Sequence, residues 1–187
     1  MVIGITGGSG AGKSTVSKYL EKKGWFVIDA DEVAHRLMVP GSNVLEQISL
    51  RFGKQFLNQD GSLNRKKLGN VVFSNPKALA DLNQITHHAI IQEINRMSAG
   101  KSNVVIDAAI LLETGLKDLC EHTIFISCPE QIRIERIMQR EGIGEEYARK
   151  RISAQKNEDY FRQRCDFEIV NDGIKDIAQQ LERCSFL

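Results

Sequence analysis

The sequence predicts an α/β fold with a doubly wound parallel sheet, and three observations indicate this class. Short apolar runs are continuous rather than alternating, which is typical of strands buried on both faces. Stretches with a helical pattern separate most of these runs, as they do in doubly wound folds. The first run, residues 2–6, leads into a glycine-rich turn that is followed by a helical stretch.

Each strand is predicted where such an apolar run stops at polar residues or glycine. The runs are VIGIT at 2–6, WFVID at 25–29, NVVID at 103–107, TIFIS at 123–127 and the weaker FEIV at 167–170. The helix after the first run is predicted over 13–23, and Gly24 is its stop signal.

A long interval, residues 30–102, separates the second predicted strand from the third. A loop of this length is improbable in a compact domain, and helical patterns occupy most of it. These patterns cover residues 31–38, 43–52, 65–73 and 76–97. Ligands of open α/β folds bind at the carboxyl ends of the strands, so we interpret the interval as a helical substrate-binding insertion. The 187 residues of the chain can form one domain with such an insertion.

A charged segment, residues 130–164, carries nine Lys or Arg and seven Asp or Glu. Its apolar residues keep a helical period, which predicts two helices joined around residues 142–144. Arg136 and Arg140 lie four residues apart on one helix face, and Arg133 lies one turn earlier. They are candidates for a mobile lid over ATP phosphates; the alternative is a solvated helix whose glutamates pair with these arginines. Arg140 is favoured because it lies next to the predicted hinge at Gly142.

The overall composition is that of an ordinary globular protein. It is 42% hydrophobic and 26% charged with a net charge of +1, which gives no reason to expect a nucleic-acid or membrane partner. No apolar run approaches the roughly 20 residues needed to span a bilayer, and no signal peptide is recognisable, so we expect a cytoplasmic protein. The four widely spaced cysteines favour reduced thiols over a zinc site. The oligomeric state stays open between a monomer and a small homo-oligomer.

The glycine-rich turn, GGSGAGKS at residues 7–14, matches the pattern G-x-x-x-x-G-K-[ST] and is called the P-loop below. Backbone N–H groups must converge on phosphate oxygens there, and side chains would obstruct them. Lys13 can reach the β- and γ-phosphates, and the hydroxyl of Ser14 suits Mg²⁺. The motif therefore predicts a nucleoside triphosphate, ATP, with Mg²⁺ as cofactor. The candidate ATP-binding residues are Gly8, Ser9, Gly10, Ala11, Gly12, Lys13, Ser14 and Thr15.

Three aspartates at or near predicted strand ends are candidates for roles in phosphoryl transfer from the bound nucleotide. The guanine-reading N-K-x-D and switch D-x-x-G sequences are absent, which lowers the GTPase interpretation. Asp29 ends the second predicted strand, and Asp31 sits at the expected helix N-cap. Asp31 can serve as general base toward an acceptor hydroxyl, with plain capping as the alternative. Asp107 ends the third predicted strand and is a candidate to hold Mg²⁺ through water, or else a solvated strand end.

Several further stretches, in order along nearly the whole chain, resemble the dephospho-coenzyme A kinase family. The P-loop alone would be unspecific, but the combination is highly specific. The matching stretches are GITGGSGAGKSTV, VIDADEVAHRL, GSLNRKKLGNVVF, ITHHAI, LLETG, RISAQ and CDFEIVNDG.

The resemblance implies a P-loop kinase with strand order 2-3-1-4-5 and three parts: a nucleotide-binding core (1–30, 100–129 and 159–187), a helical dephospho-CoA-binding insertion (31–99) and a lid (130–158). It implies transfer of the ATP γ-phosphate to the ribose 3′-hydroxyl of dephospho-CoA, the last step of coenzyme A biosynthesis. The implied roles are Asp31 as base, Arg140 as lid arginine, Asn171 near the adenine, and Arg65, His87 and Glu113 at the acceptor. From the residues, Arg136 shares the helix face of Arg140, and Asp29 lies with Asp31 at the carboxyl edge of the sheet as a further acceptor-binding candidate. From the residues alone, His87 and His88 are simply helical and do not share a face.

Two other functions stay open. One is a kinase for another small acceptor, such as a nucleoside or nucleotide. The other is a regulatory ATP-binding module that transfers no phosphate.

Overall fold

The chain forms a five-stranded, all-parallel sheet with the strand order β2-β3-β1-β4-β5. The computed structural model describes residues 1–184 and residue 186. Both the parallel sheet and the order confirm the prediction. The strands are β1 (Val2–Thr6), β2 (Phe26–Asp29), β3 (Val104–Asp107), β4 (His122–Ser127) and β5 (Phe167–Val170).

Helices follow the predicted pattern, with shifts of one residue at several ends. The two shortest, α8 and α9, have five residues each, too few for a helical period to be recognised. Two 3₁₀ turns, Lys54–Phe56 and Leu116–Leu119, were also not predicted. The helices are α1 (Lys13–Lys22), α2 (Ala30–Leu37), α3 (Asn43–Phe52), α4 (Arg65–Val72), α5 (Pro76–Ser98), α6 (Glu130–Glu141), α7 (Glu145–Ser153), α8 (Glu158–Arg162) and α9 (Ile177–Leu181).

The central strands are apolar on both faces, which explains their continuous sequence runs. On one face, Ile3 and Ile5 of β1 and Ile124 and Ile126 of β4 are fully buried; on the other face, Phe125 of β4 is buried as well. Burying one such side chain contributes roughly 1.5–3 kcal/mol, so these strands anchor the site residues that follow them. The register sets Ile5 opposite both Asp107 of β3 and Ile124 of β4.

The chain divides into two compact units, Met1–Ile28 with Lys101–Leu187, and Asp29–Gly100. The first contains most of the sheet and α6–α9. The second consists of α2–α5 and has its own core, in which Ile48, Leu68 and Val72 are buried. Its longest helix, α5, packs against the other three helices of the unit.

The remaining structural findings concern membrane spans and thiols. Among the residues that the structure describes, no helix has both the length and the apolar character that crossing a bilayer requires.

All four cysteines carry free thiols. Burial raises the pKa of Cys120 to about 12 and that of Cys165 to about 11, so both stay protonated and are poor nucleophiles near neutral pH.

Candidate active site

The P-loop connects β1 to α1 through a backbone that only glycine tolerates at two points. Gly10 and Gly12 have φ angles of 78° and 85°, in the left-handed region. A Cβ atom on Gly12 would lie 2.2 Å from Nδ2 of Asn171, and one on Gly10 would lie 2.6 Å from the carbonyl oxygen of Arg133. The loop is therefore enclosed on its outer side by α6 and by the residue that follows β5.

Side chains from these two elements hold the carbonyl groups of the loop. Nη1 of Arg136 donates to the carbonyl oxygens of Gly10 and Ala11 at 3.3 and 3.4 Å. Nδ2 of Asn171 donates to those of Ala11 and Gly12 at 3.0 and 3.2 Å. Asn171 is buried, so these bonds are shielded from water. The peptide carbonyls of the loop are thus fixed toward the protein.

The corresponding donors stay available for an anion. Within the described part of the chain, the N–H groups of Gly10, Gly12, Lys13 and Ser14 donate to no protein acceptor. The last two belong to the first turn of α1, where a helix leaves its N–H groups unpaired and carries a positive partial charge. This arrangement can bind phosphate oxygens.

Lys13 lies at the end of the loop and folds back over it. Its Nζ donates to the carbonyl oxygen of Gly7 at 3.3 Å, and the side chain is half-buried. Such an ammonium is a mobile point charge that a phosphate oxygen can recruit.

Asp107, at the end of β3, faces α1. Its Oδ2 accepts a hydrogen bond of 2.7 Å from Oγ of Ser17, which lies one turn after Ser14. The alternative of a merely solvated strand end is therefore wrong for Asp107. Among the described residues no group of three or more His, Cys, Asp or Glu could hold a metal ion. A serine hydroxyl and one carboxylate nevertheless suit Mg²⁺, which usually keeps water and phosphate ligands.

The three arginines of α6 have different surroundings. Arg133 is buried and Arg136 half-buried, and both donate to P-loop carbonyls. Arg140 is exposed and pairs with Glu141, with 2.6 Å between Nη2 and Oε1. The alternative of a solvated helix whose glutamates pair with these arginines is wrong for Arg133 and Arg136, which donate to loop carbonyls instead.

Gln155 is a site residue that the sequence reasoning missed. From the segment that follows α7, its side-chain amide accepts from the Ser9 N–H through Oε1 and donates to Ser9 Oγ through Nε2. The stretch RISAQ ends at this residue, and that was the available signal. Nη2 of Arg133, one of the candidate lid arginines, donates to the same Gln155 oxygen at 3.0 Å.

In the unit Asp29–Gly100, the N-cap of α2 is Asp29 rather than Asp31. Oδ1 of Asp29 accepts from the N–H groups of Asp31 and Glu32 at 2.9 and 3.0 Å. The predicted capping position of Asp31 is wrong because the helix begins one residue earlier, at Ala30. The Asp31 carboxylate is exposed and accepts no hydrogen bond from the described residues.

The other predicted acceptor residues are distributed over both units. Arg65 is the first residue of α4 and is exposed, while His87 is half-buried in α5. Burial lowers the pKa of His87 below its usual value, which favours the neutral imidazole. Glu113 is exposed in the turns after β3, in the first unit. Among the described residues, no hydrogen bond joins Arg65 to His87.

A parallel sheet of this order, with a P-loop between β1 and α1, defines a protein of the P-loop kinase class. The sequence model of one family, described as dephospho-CoA kinase (CoaE), matches residues 1–176. The chain therefore belongs to the dephospho-CoA kinase family and is a kinase.

Curated relatives agree along almost the full length. The dephospho-CoA kinase of Corynebacterium diphtheriae is 39% identical over 187 residues, which cover 97% of this chain and 94% of the relative. That of Lactobacillus acidophilus is 39% identical over 189 residues, with the same coverage of 97% and 94%.

Solved structures show the same fold. TT1252 from Thermus thermophilus superposes with a TM-score of 0.80 and 30% identity, covering 98% of this chain and 93% of its own. Dephospho-CoA kinase from Campylobacter jejuni has a TM-score of 0.63 and 26% identity, covering 98% and 92%. Shikimate kinase from Bacteroides thetaiotaomicron, at a TM-score of 0.58 and 17% identity, shares the fold, covering 100% and 97%.

Proposed function

We propose that the protein transfers the γ-phosphate of ATP to the ribose 3′-hydroxyl of dephospho-CoA, giving coenzyme A and ADP. The observation that carries this proposal is the dephospho-CoA kinase match over residues 1–176. The arrangement of the P-loop supports it, because phosphoryl transfer depends mainly on positioning and on stabilisation of charge.

The nucleotide side is assigned to the P-loop. Its N–H groups and Lys13 bind the β- and γ-phosphates, with residues 8–15 as the lining of the site. Donors that are already in place need no reorganisation when negative charge shifts during transfer, which lowers the barrier. Asn171, which already holds the loop from the side of β5, lies beside the adenine in this proposal.

Mg²⁺ is assigned to Ser14, with Asp107 contributing through water. Bound there with ATP, the ion supplies positive charge to the phosphate oxygens. Asp107 is held by the hydroxyl of Ser17, so its carboxylate is oriented by α1, the helix that also carries Ser14.

The acceptor side is assigned to Asp31 as general base. Asp31 lies two residues beyond the last residue of β2, and ligands of parallel sheets bind at the carboxyl ends of the strands. Because Asp29 caps α2, the carboxylate of Asp31 has no capping function and stays available for the acceptor hydroxyl. Arg65, His87 and Glu113, with Asp29, are proposed to bind dephospho-CoA.

Arg140 is proposed as the lid arginine that stabilises the transferring phosphoryl group. Its side chain is exposed, and its pair with Glu141 is a surface ion pair, which contributes little to stability. A phosphate group can therefore displace the glutamate at little cost. Arg136, predicted beside it at ATP, is held by loop carbonyls and acts from the outer side of the P-loop.

An ADP-release assay with a panel of acceptors tests the proposal. We expect turnover with dephospho-CoA and only background release with nucleosides, nucleotides or water. Turnover with a nucleoside and none with dephospho-CoA would indicate a kinase for another acceptor. Binding of MgATP with no transfer to any acceptor would indicate a regulatory module, and either result would refute the proposal.

A further inference from the structure

Ser9, at the apex of the P-loop, is held by two side chains that lie outside the motif. Nε of Arg133 donates to the Ser9 carbonyl oxygen at 2.9 Å. Oε1 of Gln155 accepts from the Ser9 N–H at 2.9 Å, and Nε2 of Gln155 donates to Ser9 Oγ at 2.9 Å. Every polar group of Ser9 is thus engaged.

The two side chains also bond to each other. Nη2 of Arg133 donates to Oε1 of Gln155 at 3.0 Å, so this oxygen accepts from both the guanidinium and Ser9. Two donors converge on one atom of the amide, which fixes that atom as oxygen and the other as nitrogen. We call the three residues Arg133, Gln155 and Ser9 the Ser9 latch.

Arg133 is buried without a carboxylate partner in the described part of the chain, although its helix contains three glutamates. Its side chain is only 7% exposed, yet no carboxylate among the described residues forms an ion pair with it. The neighbouring Glu130 pairs with Arg149, and Glu141 pairs with Arg140. Burying a charge without a countercharge is unfavourable, so the position needs another source of stabilisation. Neutral oxygens of the latch supply part of it, and an anion bound at the P-loop would supply the rest.

The hydrogen bond from Arg133 acts on one peptide group of the loop. The carbonyl of Ser9 and the N–H of Gly10 belong to the same peptide, and this N–H donates to no described protein group. Because the Ser9 carbonyl points toward the Arg133 guanidinium, the N–H of the same peptide points away from α6. The positive charge also polarises this peptide group.

The glycine at position 8 leaves room for this contact. A Cβ atom on Gly8 would lie 2.2 Å from Nη2 of Arg133 and 3.0 Å from Oε1 of Gln155. The latch is therefore packed directly against the P-loop backbone.

We propose that Arg133 and Gln155 are positioning residues for ATP, which set the conformation of the P-loop apex through Ser9. This inference rests on the proposed function, since it concerns the same nucleotide site. The latch joins the apex to α6 through Arg133 and to the residues after α7 through Gln155, so the loop is held from two places. Its loss weakens ATP binding and leaves the binding of dephospho-CoA unchanged.

The test is a double-mutant cycle on MgATP binding, measured by calorimetry without an acceptor. Each single variant, Arg133→Gln and Gln155→Ala, should weaken MgATP binding about tenfold, as for a lost charge-assisted hydrogen bond. The double variant should be weakened by much less than the product of the two effects, because both residues act through Ser9. Gln139→Ala and Arg149→Gln, exposed residues of α6 and α7, serve as controls and should bind MgATP as the unmodified protein does.

Steady-state kinetics separate positioning from general loss of structure. We expect KM for ATP to rise in both variants while KM for dephospho-CoA stays constant, with melting temperatures close to that of the unmodified protein for Gln155→Ala. Unchanged or tighter MgATP binding by Gln155→Ala would overturn the proposal, the tighter result showing that Gln155 competes with phosphate for the Ser9 N–H. Multiplicative effects in the double variant would overturn it as well. These binding results do not depend on the acceptor, so they are distinct from a failure of the unmodified protein to phosphorylate dephospho-CoA.

Discussion

The P-loop and the unit Asp29–Gly100 differ in how their candidate residues are held. In the P-loop, the carbonyls of residues 9–12 all accept hydrogen bonds from side chains of α6 or from Asn171. In the other unit, the side chains of Asp31 and Arg65 are exposed and bond to no described group. The P-loop is therefore held by protein contacts, whereas the proposed acceptor residues Asp31 and Arg65 have side chains that reach no partner among the described residues. We therefore expect substitution of Lys13 in the P-loop to change both ATP binding and rate, and substitution of Asp31 to change the rate alone.

The largest effect is expected on the acceptor side, for Asp31→Asn. If Asp31 is the general base, kcat should fall about 10²- to 10⁴-fold while MgATP binding is kept. Stopped-time product assays and calorimetry measure the two quantities. Glu32→Gln, which changes the next carboxylate of the same exposed turn, is the matched control and should be nearly silent. An Asp31→Asn variant with full activity would remove the base from this account.

On the nucleotide side, Lys13→Met should change both binding and rate. Lys13 contacts ground-state and transition-state phosphates alike in this account, so kcat/KM for ATP should fall about 10²- to 10³-fold. The control is Lys18→Met, at an exposed position of the same helix. Equal kinetics for the two variants would contradict the phosphate-binding role of Lys13.

A smaller effect is expected for Arg140→Ala, which compares two arginines of α6. Arg140 is exposed, so its loss should leave the melting temperature unchanged while kcat falls about tenfold. Arg136→Ala should lower the melting temperature because carbonyls of Gly10 and Ala11 lose a donor. Thermal unfolding and steady-state kinetics decide between the roles. The reverse pattern would exchange the assignments of the two residues.

The smallest effect concerns pH and His87. Burial lowers the pKa of His87 in the folded state, so the unfolded state takes up a proton first as pH falls. Stability from this group is fully present above its unfolded pKa of about 6.5 and is lost as pH falls toward the lowered folded pKa. Urea unfolding from about pH 7.5 to about pH 5.5 should show a steeper loss for the unmodified protein than for His87→Asn. Parallel curves would show that His87 titrates equally in both states.

The sheet and the P-loop were predictable because each depends on a pattern of short range. Buried parallel strands produce continuous apolar runs, and the phosphate cradle requires glycines at fixed spacing. The strand order came with the family resemblance and is confirmed.

The partners of the α6 arginines were not predictable from spacing. Helical periodicity shows that Arg136 and Arg140 share a face, but it does not show what packs against that face. Gln155 has no periodic signal at all, since it follows the last turn of α7 and acts at Ser9, far away in sequence. Tertiary packing determines both contacts.

The helix cap lies at Asp29 instead of Asp31 for a local reason. Either aspartate can cap a helix, and the position where the backbone becomes helical decides which one does. The helix begins at Ala30, which gives the cap to Asp29 and leaves Asp31 in the first turn.

The structure of the product, determined by phosphorus and proton NMR, tests the central claim most directly. The unmodified protein is incubated with MgATP and dephospho-CoA, and ADP is quantified in the same sample. We expect one new phosphomonoester on the ribose 3′-oxygen for each ADP formed. ADP without a new phosphomonoester, or a phosphate on any other oxygen, would contradict the account.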